Sequence, residues 1–319
     1  MPAGAIESIR PRAPSARGAP SSAVASGLRR RIEMLEDALL RTRAGDDRRA
    51  IHDLRVVSRR LIAFLRAWGA LLPRGTVRRV VRDLRVVRRR VGRARDVEAQ
   101  VELLRERLAA LGSADQPALE LLRKLERRLE RLRRRAAARV RPGRSERLLT
   151  LCAKAEQGLR QDLVSYLQAF EIAHGRETSR RGAVVEAIGP ALESEDDAAL
   201  HGLRIAAKKW RYALESLGAT AARGAGATLA RLRELQGALG ALRDRGALEG
   251  LISAQLEGHL PLHGTLPWVL RDLRSEREQE RARFRPLARA LRDALEEPAA
   301  GAAPLPRRRD GEAALVSGG

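Results

Sequence analysis

IHDLRVVSRRLIAFL, residues 51–65, recurs in altered form as LHGLRIAAKKWRYAL, residues 200–214. The two stretches share a histidine near the start, apolar residues spaced by three and four, and a run of cations. Such spacing places one apolar stripe along a helix, so each stretch predicts an amphipathic helix. The residues that coincide are His52 with His201, Arg55 with Arg204, Arg59 with Lys208, and Arg60 with Lys209.

A second pair of segments follows the first pair in the same order. Residues 91–104 read VGRARDVEAQVELL, and residues 239–252 read LGALRDRGALEGLI, at nearly the same offset. Because two helices recur in one order and at nearly one distance, the sequence predicts a duplicated helical unit. We expect the two copies to meet near residues 173–182.

Strand patterns are almost absent, because valine and isoleucine fall within helical spacing throughout the chain. The predicted fold is therefore all-α, with two pseudo-symmetric helical bundles, about 28–175 and 181–295, produced by internal duplication. Residues 1–27 and 296–319 are rich in alanine, proline, serine and glycine, and we assign them to disordered tails. Helices are predicted near residues 28–43, 48–72, 76–111, 116–140, 146–173, 181–192, 197–218, 226–257 and 266–295.

The chain carries a large excess of positive charge. Its 63 lysines and arginines outnumber 40 acidic residues, which leaves a net charge of +23. Solubility needs a net charge of only about 2–8 in a small domain, and the self-repulsion of a larger excess costs folding energy. The excess therefore predicts a polyanionic partner. A general preference for arginine at the surface would explain the scarcity of lysine, but not the imbalance against acids.

Cations in the repeated helices are predicted to lie on one side, away from the apolar stripe. Arg55 and Arg59 share a side of the first helix, as Arg204 and Lys208 do on the second. Residues 74–95 add ten arginines and one acid at similar spacing. An ordinary solvated face mixes charges of both signs at i,i+4, since like charges there repel. Nearly acid-free stripes of guanidinium groups suit a chain of phosphates, whose oxygens accept bidentate hydrogen bonds.

The repeated histidines allow a different interpretation. His52-Asp53 is similar to a dipeptide of metal-dependent phosphohydrolases, which would place a metal-based catalytic site here. The second copy, however, has Gly202 where the first has Asp53, and the surrounding cations oppose a metal and favour a neutral imidazole. We therefore predict no metal site, and we expect the neutral rings of His52 and His201 to donate an N–H group to phosphate.

Other catalytic patterns are absent from the sequence. It has no glycine-rich loop followed by lysine and serine or threonine, and no paired carboxylates in a basic setting. Its one cysteine, Cys152, is assigned to the core. We therefore expect a binding protein that is not an enzyme and that needs no cofactor. No run of residues approaches 18 apolar positions. We expect a cytoplasmic protein without a membrane partner.

Nucleic acid is the main alternative ligand, because net charge alone favours it. Aromatic residues make up only 3% of the chain, whereas proteins that bind single strands stack bases on aromatic side chains. Trp68 and Trp210 both fall on apolar faces, so they are predicted to belong to the core. General nucleic-acid binding and histidine-dependent phosphohydrolysis both stay open as alternatives.

The repeated stretches resemble the two signatures of the CHAD domain, the conserved histidine α-helical domain. HDLR at 52–55 with SRRL at 58–61 is similar to the first signature. HGLR at 201–204 with KKWRYALE at 208–215 is similar to the second, and the similarity spans roughly residues 28–295. The segments that follow each signature are also similar, at 92–96 and 232–244.

This resemblance implies two helical bundles around a pseudo-twofold axis, with a basic groove that binds inorganic polyphosphate. Members are often associated with polyphosphate granules, so granule association is a further expectation. Some members carry a triphosphate-tunnel enzyme domain, but the alternating acids at 276–280 lie on a predicted helix here and lack the lysine of that domain. The predicted polyphosphate-binding residues are His52, Arg55, Arg59, Arg60, Arg78, Arg82, Arg85, Arg89, His201, Arg204, Lys208, Lys209, Arg211 and Arg233.

Overall fold

Helices make up most of the chain that the structure, a computed structural model, describes. The described residues are 20–44, 49–138, 140–194, 196–218, 225–257 and 264–296. These ranges contain no strand, which confirms the all-α prediction, and none of their helices has the length and apolar character of a membrane span. The helices are α1 (Pro20–Ala44), α2 (Ala50–Ala67), α3 (Arg74–Leu111), α4 (Gln116–Ala137), α5 (Pro142–Gln157), α6 (Leu163–Glu193), α7 (Asp197–Leu217), α8 (Ala225–Leu256) and α9 (Thr265–Glu296).

The duplicated unit takes the form of two sets of four helices. Helices α1 to α4 form the first set, α6 to α9 form the second, and α5 connects them. Consecutive helices pack against each other in both sets. Each helix of the first set also contacts its counterpart, so that α1 packs on α6, α2 on α7, α3 on α8 and α4 on α9. Contacts between equivalent elements are what a twofold axis produces.

The starts of α4 and α9 meet at the carboxylate of Asp115. This carboxylate accepts a hydrogen bond from the backbone N–H of Ala118 at 3.0 Å and another from that of Thr265 at 2.8 Å. The Thr265 hydroxyl in turn accepts a hydrogen bond from the Asp115 backbone N–H at 3.0 Å. One side chain therefore caps two equivalent helices, each of which has a proline, Pro117 or Pro267, in its first turn.

Two clusters of buried apolar side chains form the core. The first comes mainly from α1 to α5 and contains Trp68, and the second comes from α6 to α9 and contains Trp210. Both tryptophans are 1% exposed, and Cys152 is buried in the first cluster; all three were predicted to lie in the core. Burial raises the pKa of the Cys152 thiol to about 12. The first cluster also includes Leu248 from α8 and Leu273 from α9. The tip of the α8–α9 hairpin thus completes the core of the first set.

The largest departure from the predicted helices lies between α5 and α6. We predicted helices over residues 146–173 and 181–192, with a junction between them. The chain instead turns at residues 158–162, and α6 then runs without a break to Glu193. Those two helix predictions are therefore wrong. Apolar residues after the turn continue the spacing of α5, and this continuity concealed the turn from a periodicity argument.

The turn before α6 has two local causes. Gly158 lies so close to Pro73 that a Cβ atom on it would be 2.4 Å from the proline Cγ. Only glycine fits there without a shift of the proline ring. Asp162 then caps α6, because its carboxylate accepts a hydrogen bond from the backbone N–H of Ser165 at 2.8 Å. Gly158 thus permits the close approach of Pro73 at the turn, and the Asp162 cap starts the next helix, without a change in hydrophobic pattern.

The start of α1 also differs from the prediction. We assigned residues 1–27 to a disordered tail, but α1 begins at Pro20 and buries Val24 and Leu28 one turn apart. Proline is favoured in the first turn of a helix, so the composition that suggested a tail is compatible with a helix start. The rest of the predicted tails, residues 1–19 and 297–319, lies outside the described residues.

Candidate functional site

The repeated helices α2 and α7 pack against each other and bring their polar sides together. Leu54 and Leu61 of α2 are completely buried, and Leu203 and Trp210 of α7 are at most 1% exposed. With these stripes turned into the core, the cations that flank them lie beside the line where the helices meet. The junction between the two sets of helices is therefore basic.

Six cations from four helices form what we call the central cluster. Electrostatic repulsion couples each of these side chains to at least one other, and Arg59 neighbours four of them. Four of the six were predicted as site residues, and the structure brings these four together from both repeats. The members are Arg55 and Arg59 from α2, Arg88 from α3, Arg204 and Lys208 from α7, and Arg243 from α8.

Burial changes the protonation of the central cluster. Arg204 is only 9% exposed, and the other members are half-buried. Burial, followed by repulsion from Arg204 and Arg59, lowers the pKa of Lys208 to about 7. Burial and then repulsion from Arg59 lower the pKa of Arg55 to about 10, so this guanidinium stays charged at neutral pH. A bound anion would offset both effects, because an opposite charge favours the protonated forms.

The carboxylates beside the central cluster, Asp96 and Asp244, are both held by Arg243. The Arg243 guanidinium lies 2.8 Å from an oxygen of each. The Nε atoms of Arg55 and Arg204 are buried and have no hydrogen-bond partner. Buried donors of this kind are rare in folded proteins. A rearrangement that gave these two Nε atoms an acceptor would therefore be favourable.

A second group of cations, which we call the lateral cluster, continues from the first. Burial, followed by repulsion from Arg85 and other cations, lowers the pKa of Arg66 at the end of α2. Arg88 neighbours both Arg66 and Arg59, so it joins the two clusters. Together the clusters form a continuous set of cations from α8, past α2 and α3, to α6. The lateral cluster comprises Arg66, Arg85, Arg176 and Arg180.

The two repeated histidines have different surroundings. His52 is half-buried on α2, and burial, followed by repulsion from Arg55 and Arg95, lowers its pKa. The imidazole is therefore neutral at neutral pH and can donate one N–H group. His201 is exposed on α7. Within the described ranges, no group of three or more His, Cys, Asp or Glu side chains is arranged to hold a metal ion.

Two other predicted ligands, Arg60 and Arg211, share the carboxylate of Glu215. The Nε atom of Arg60 lies 3.2 Å from one carboxylate oxygen, and that of Arg211 lies 3.6 Å from the other. Arg31 of α1 donates a hydrogen bond to the Glu215 carbonyl oxygen at 2.9 Å and lies over the ring of Phe64. Arg31 and Arg60 thus tie α1 and α2 to α7, whereas Arg211 pairs with Glu215 within α7.

The remaining predicted cations are exposed on α3, α7 and α8. Arg85 and Arg89 neighbour Arg88, which places them at the edge of the two clusters. Arg82 instead pairs with Asp83 at 3.3 Å and lines a cavity of about 260 Å³ between α1, α3 and α5. The exposed predicted cations are Arg78, Arg82, Arg85, Arg89, Lys209 and Arg233.

Sequence reasoning missed several members of the clusters. Arg243 had a usable signal, because it stands in an Arg-Asp dipeptide that both repeats contain at equivalent positions. Arg88 lies in the arginine-rich stretch of α3, one turn from residues that we selected. Arg176 and Arg180 are spaced by four on α6, but they fall where we predicted a junction. Their arrangement on a helix was therefore not expected.

Comparisons with known proteins agree with this architecture. A family model described as the CHAD domain matches residues 26–248. The crystal structure of the CHAD domain from the plant Ricinus communis is similar, with a TM-score of 0.64 and 22% identity, over 90% of this chain and 95% of that one. PptA from Streptomyces chartreusis is similar with a TM-score of 0.58 and 19% identity, over 87% of this chain and 99% of that one. No curated protein sequence matches the chain.

Proposed function

Because the chain belongs to the CHAD domain family, we propose that it binds inorganic polyphosphate and that it does not act on this ligand as an enzyme. In this proposal the phosphate chain follows the central cluster and continues along the lateral cluster. Arg59 and Lys208 lie in the middle of this path, and Arg243 and Arg180 lie towards its ends. The exposed cations of α3 would attract the ligand from solution.

The observation that carries the proposal is the convergence of like charges from both repeats. Lys208 alone has four guanidinium neighbours, from α2, α7 and α8. Keeping such charges together costs energy that a ligand with closely spaced negative charges recovers. The Cβ atoms of cations three or four residues apart on a helix are about 5–6 Å from each other, so their long side chains can contact phosphate groups at intervals along one chain. A single small anion would not reach from α8 to α6.

The surroundings of the clusters favour polyphosphate over single-stranded nucleic acid. Binding of single strands relies on aromatic side chains that stack on the bases. Trp68 and Trp210, near and within the repeated signatures, are both buried in the core. Half-buried Tyr212 lies beside Arg55 and Arg88, and it supplies one ring, not a row of stacking platforms. The Nε1 atom of Trp68 also donates a hydrogen bond to the Ser216 carbonyl oxygen at 2.8 Å, which fixes the ring inside the fold. Recognition here rests on guanidinium groups, which suit phosphate oxygens without bases.

The acid and base groups near the clusters support binding without catalysis. Hydrolysis of a phosphate chain needs a group that activates water or a metal that does so. Asp96 and Asp244 are occupied by Arg243. His52 is neutral, and burial together with repulsion from Arg55 and Arg95 opposes its protonation during proton transfer more than Asp53 and Glu98 favour it. Phosphate release that disappears in a His52→Ala, His201→Ala double mutant would contradict this part of the proposal.

A competition experiment tests the choice of ligand. Fluorescently labelled long-chain polyphosphate is bound to the full chain, then displaced by unlabelled polyphosphate, duplex DNA or RNA at equal phosphate concentration. We expect polyphosphate to displace the label at concentrations at least about tenfold lower than either nucleic acid, because only polyphosphate presents phosphates without intervening sugars. Equal or better displacement by DNA or RNA would identify the protein as a general nucleic-acid binder.

Binding to polyphosphate would also direct the protein to polyphosphate granules. Granules present many phosphate chains at once, so that several weak contacts act together. We propose that a fluorescent fusion of the full chain co-localises with granules in cells that make them. The same fusion carrying Arg59→Gln and Arg204→Gln should be distributed evenly instead.

A further inference from the structure

Lys208 is the one amine among the guanidinium groups of the central cluster. The chain has only four lysines, and the other three, Lys124, Lys154 and Lys209, are exposed. Lys208 is half-buried, with Arg204 one turn before it on α7 and Arg55, Arg59 and Arg243 facing it from α2 and α8. Its chemical environment therefore differs from that of every other amine side chain in the described residues.

We propose that Lys208 is a site of covalent acylation by small acyl phosphates, with the surrounding guanidinium groups binding the phosphate part of the reagent. This inference concerns a chemical reaction of Lys208 and does not require polyphosphate to be the physiological ligand. A further consequence, that acylation weakens polyphosphate binding, rests on the proposed function.

Two conditions for the reaction meet at this position. An amine attacks a carbonyl group only in its neutral form, and repulsion from four guanidinium neighbours together with burial favours that form at Lys208. An acyl phosphate also needs to be held near the amine, and the guanidinium groups of Arg204, Arg59 and Arg55 lie around Lys208, where they can bind phosphate oxygens. Lys209, the next residue on α7, is exposed.

The reaction is an acyl transfer without any change of oxidation state. The neutral Nζ atom of Lys208 attacks the carbonyl carbon of the acyl phosphate, and a new C–N bond forms. The bond between the carbonyl carbon and the phosphate oxygen breaks, and its electron pair leaves with the phosphate. The proton lost from nitrogen goes to the departing phosphate, so the products are an amide on Lys208 and hydrogen phosphate. The guanidinium groups stabilise the negative charge on this leaving group.

Acylation would change the charge of the central cluster permanently. An amide nitrogen carries no charge at any physiological pH, whereas the free amine becomes protonated when a polyanion binds. An acylated cluster would therefore lose one cation and gain a bulkier side chain in a half-buried position. Acyl phosphate would in this way compete with polyphosphate, first by occupying the same guanidinium groups and then by removing the amine.

Acetyl phosphate is the probe, and the lysines of the chain are their own controls. The full chain is incubated with acetyl phosphate near neutral pH, and the acetylated fraction at each lysine is measured over time by peptide mass spectrometry. We expect Lys208 to react at least about tenfold faster than Lys209, Lys124 or Lys154, because bound reagent raises the local concentration of the reacting group. Equal rates at Lys208 and Lys209 would overturn the proposal.

A second reagent shows whether the preference for Lys208 comes from binding of the reagent's phosphate group or from the reactivity of the amine alone. Acetic anhydride carries no phosphate, so the preference for Lys208 should be several-fold smaller with it. Arg59→Gln should reduce the preference seen with acetyl phosphate, whereas Arg134→Gln on the exposed face of α4 should not change it. An equal preference with both reagents in the unmodified chain would show that the guanidinium groups play no part.

The effect of acetylation on polyphosphate binding is measured in a separate experiment. Affinity for polyphosphate is measured before and after acetylation, with Lys208→Gln as a neutral substitute for the acetylated side chain. We expect both to weaken binding by about tenfold. If Lys208 is acetylated selectively but polyphosphate affinity is unchanged, the modification site stands and the proposed position of polyphosphate is wrong. If polyphosphate binds but Lys208 shows no selectivity, the proposed function stands and this inference fails.

Discussion

Lys208 links ligand binding to pH. Its pKa of about 7 in the free protein results from burial and from repulsion by Arg204, Arg59, Arg55 and Arg243. Phosphate groups that bind among these residues favour the protonated amine and raise this pKa again. Above pH 7 binding must therefore take up a proton, and the affinity falls as the pH rises. Below pH 7 the amine is already protonated, and the affinity changes little from this source.

The expected size of this effect is about a tenfold loss of polyphosphate affinity between pH 7 and pH 8.5. Calorimetric titrations in two buffers with different ionisation enthalpies would count the protons taken up. Arg55, whose pKa is lowered to about 10, stays protonated throughout this window, and Asp96 and Asp244 are held in ion pairs by Arg243. The Lys208→Arg variant keeps the charge at all these pH values, so it should show a much smaller pH dependence. The same slope in that variant would assign the effect to another group.

Arg59 and Arg60 are adjacent in sequence but differ in their contacts. Arg59 neighbours four other cations of the central cluster, whereas Arg60 pairs with Glu215. We expect Arg59→Gln to weaken polyphosphate binding by about tenfold and Arg60→Gln by less than about threefold. Fluorescence anisotropy at fixed salt measures both. Equal losses would mean that Glu215 releases Arg60 to the ligand.

At the level of single helices, the sequence predicted best where the hydrophobic period was unbroken. The limits of α3, α7, α8 and α9 lie within about two residues of the predictions, in line with the usual uncertainty of helix ends. The turn between α5 and α6 could not be predicted, because it depends on the contact between Gly158 and Pro73, which are far apart in sequence. Long-range steric fit of this kind leaves no trace in local spacing.

The wrong prediction for α5 and α6 also left part of the candidate site unpredicted. Arg176 and Arg180 share a face of α6 only because the helix is continuous there, and the predicted junction removed that helix. Arg55, Arg59, Arg204 and Lys208 could be predicted, in contrast, because their spacing repeats beside a clear apolar stripe. Local periodicity thus identified four of the six members of the central cluster, while Arg176 and Arg180 of the lateral cluster required the packing of α6 against α2.

Helix α6 should determine how binding depends on the length of the phosphate chain. A ligand that occupies the central cluster reaches Arg176 and Arg180 only if it extends past Arg88. We expect Arg176→Gln with Arg180→Gln to weaken long polyphosphate by about tenfold and to leave the binding of short chains nearly unchanged. Titrations with polyphosphates of defined length measure this. The matched control is Arg131→Gln with Arg135→Gln on α4, which removes the same charge from exposed positions.

For the molecule as a whole, a shared site can be separated from general attraction by charge. A net charge of +23 will attract any polyanion. If the two repeats form one site, Arg55→Gln with Arg59→Gln and Arg204→Gln with Lys208→Gln should each weaken long polyphosphate by about tenfold or more. Calorimetry at physiological salt provides the affinities, and circular dichroism shows whether the helices remain.

The control for this comparison is again Arg131→Gln with Arg135→Gln, which changes the net charge by the same amount. We expect it to reduce affinity by less than about threefold, since exposed charges are screened beyond about 8 Å at physiological ionic strength. A loss as large as that of the central-cluster variants would mean that only bulk charge matters. Removing central-cluster cations should not unfold the protein, because it relieves repulsion among like charges.

The tip of the α8–α9 hairpin has a consequence for the synthesis of the protein. Leu248 and Leu273 belong to the core of the first set of helices, yet the ribosome makes them long after α1 to α5 have emerged. At about 5–20 residues per second, translation of the intervening chain takes several seconds. During that time the nascent first set exposes the apolar surface that Leu248 and Leu273 cover in the folded protein. Burial of this surface therefore has to wait until the α8–α9 hairpin has been made, and molecular chaperones that shield the emerging chain should raise the yield of this protein.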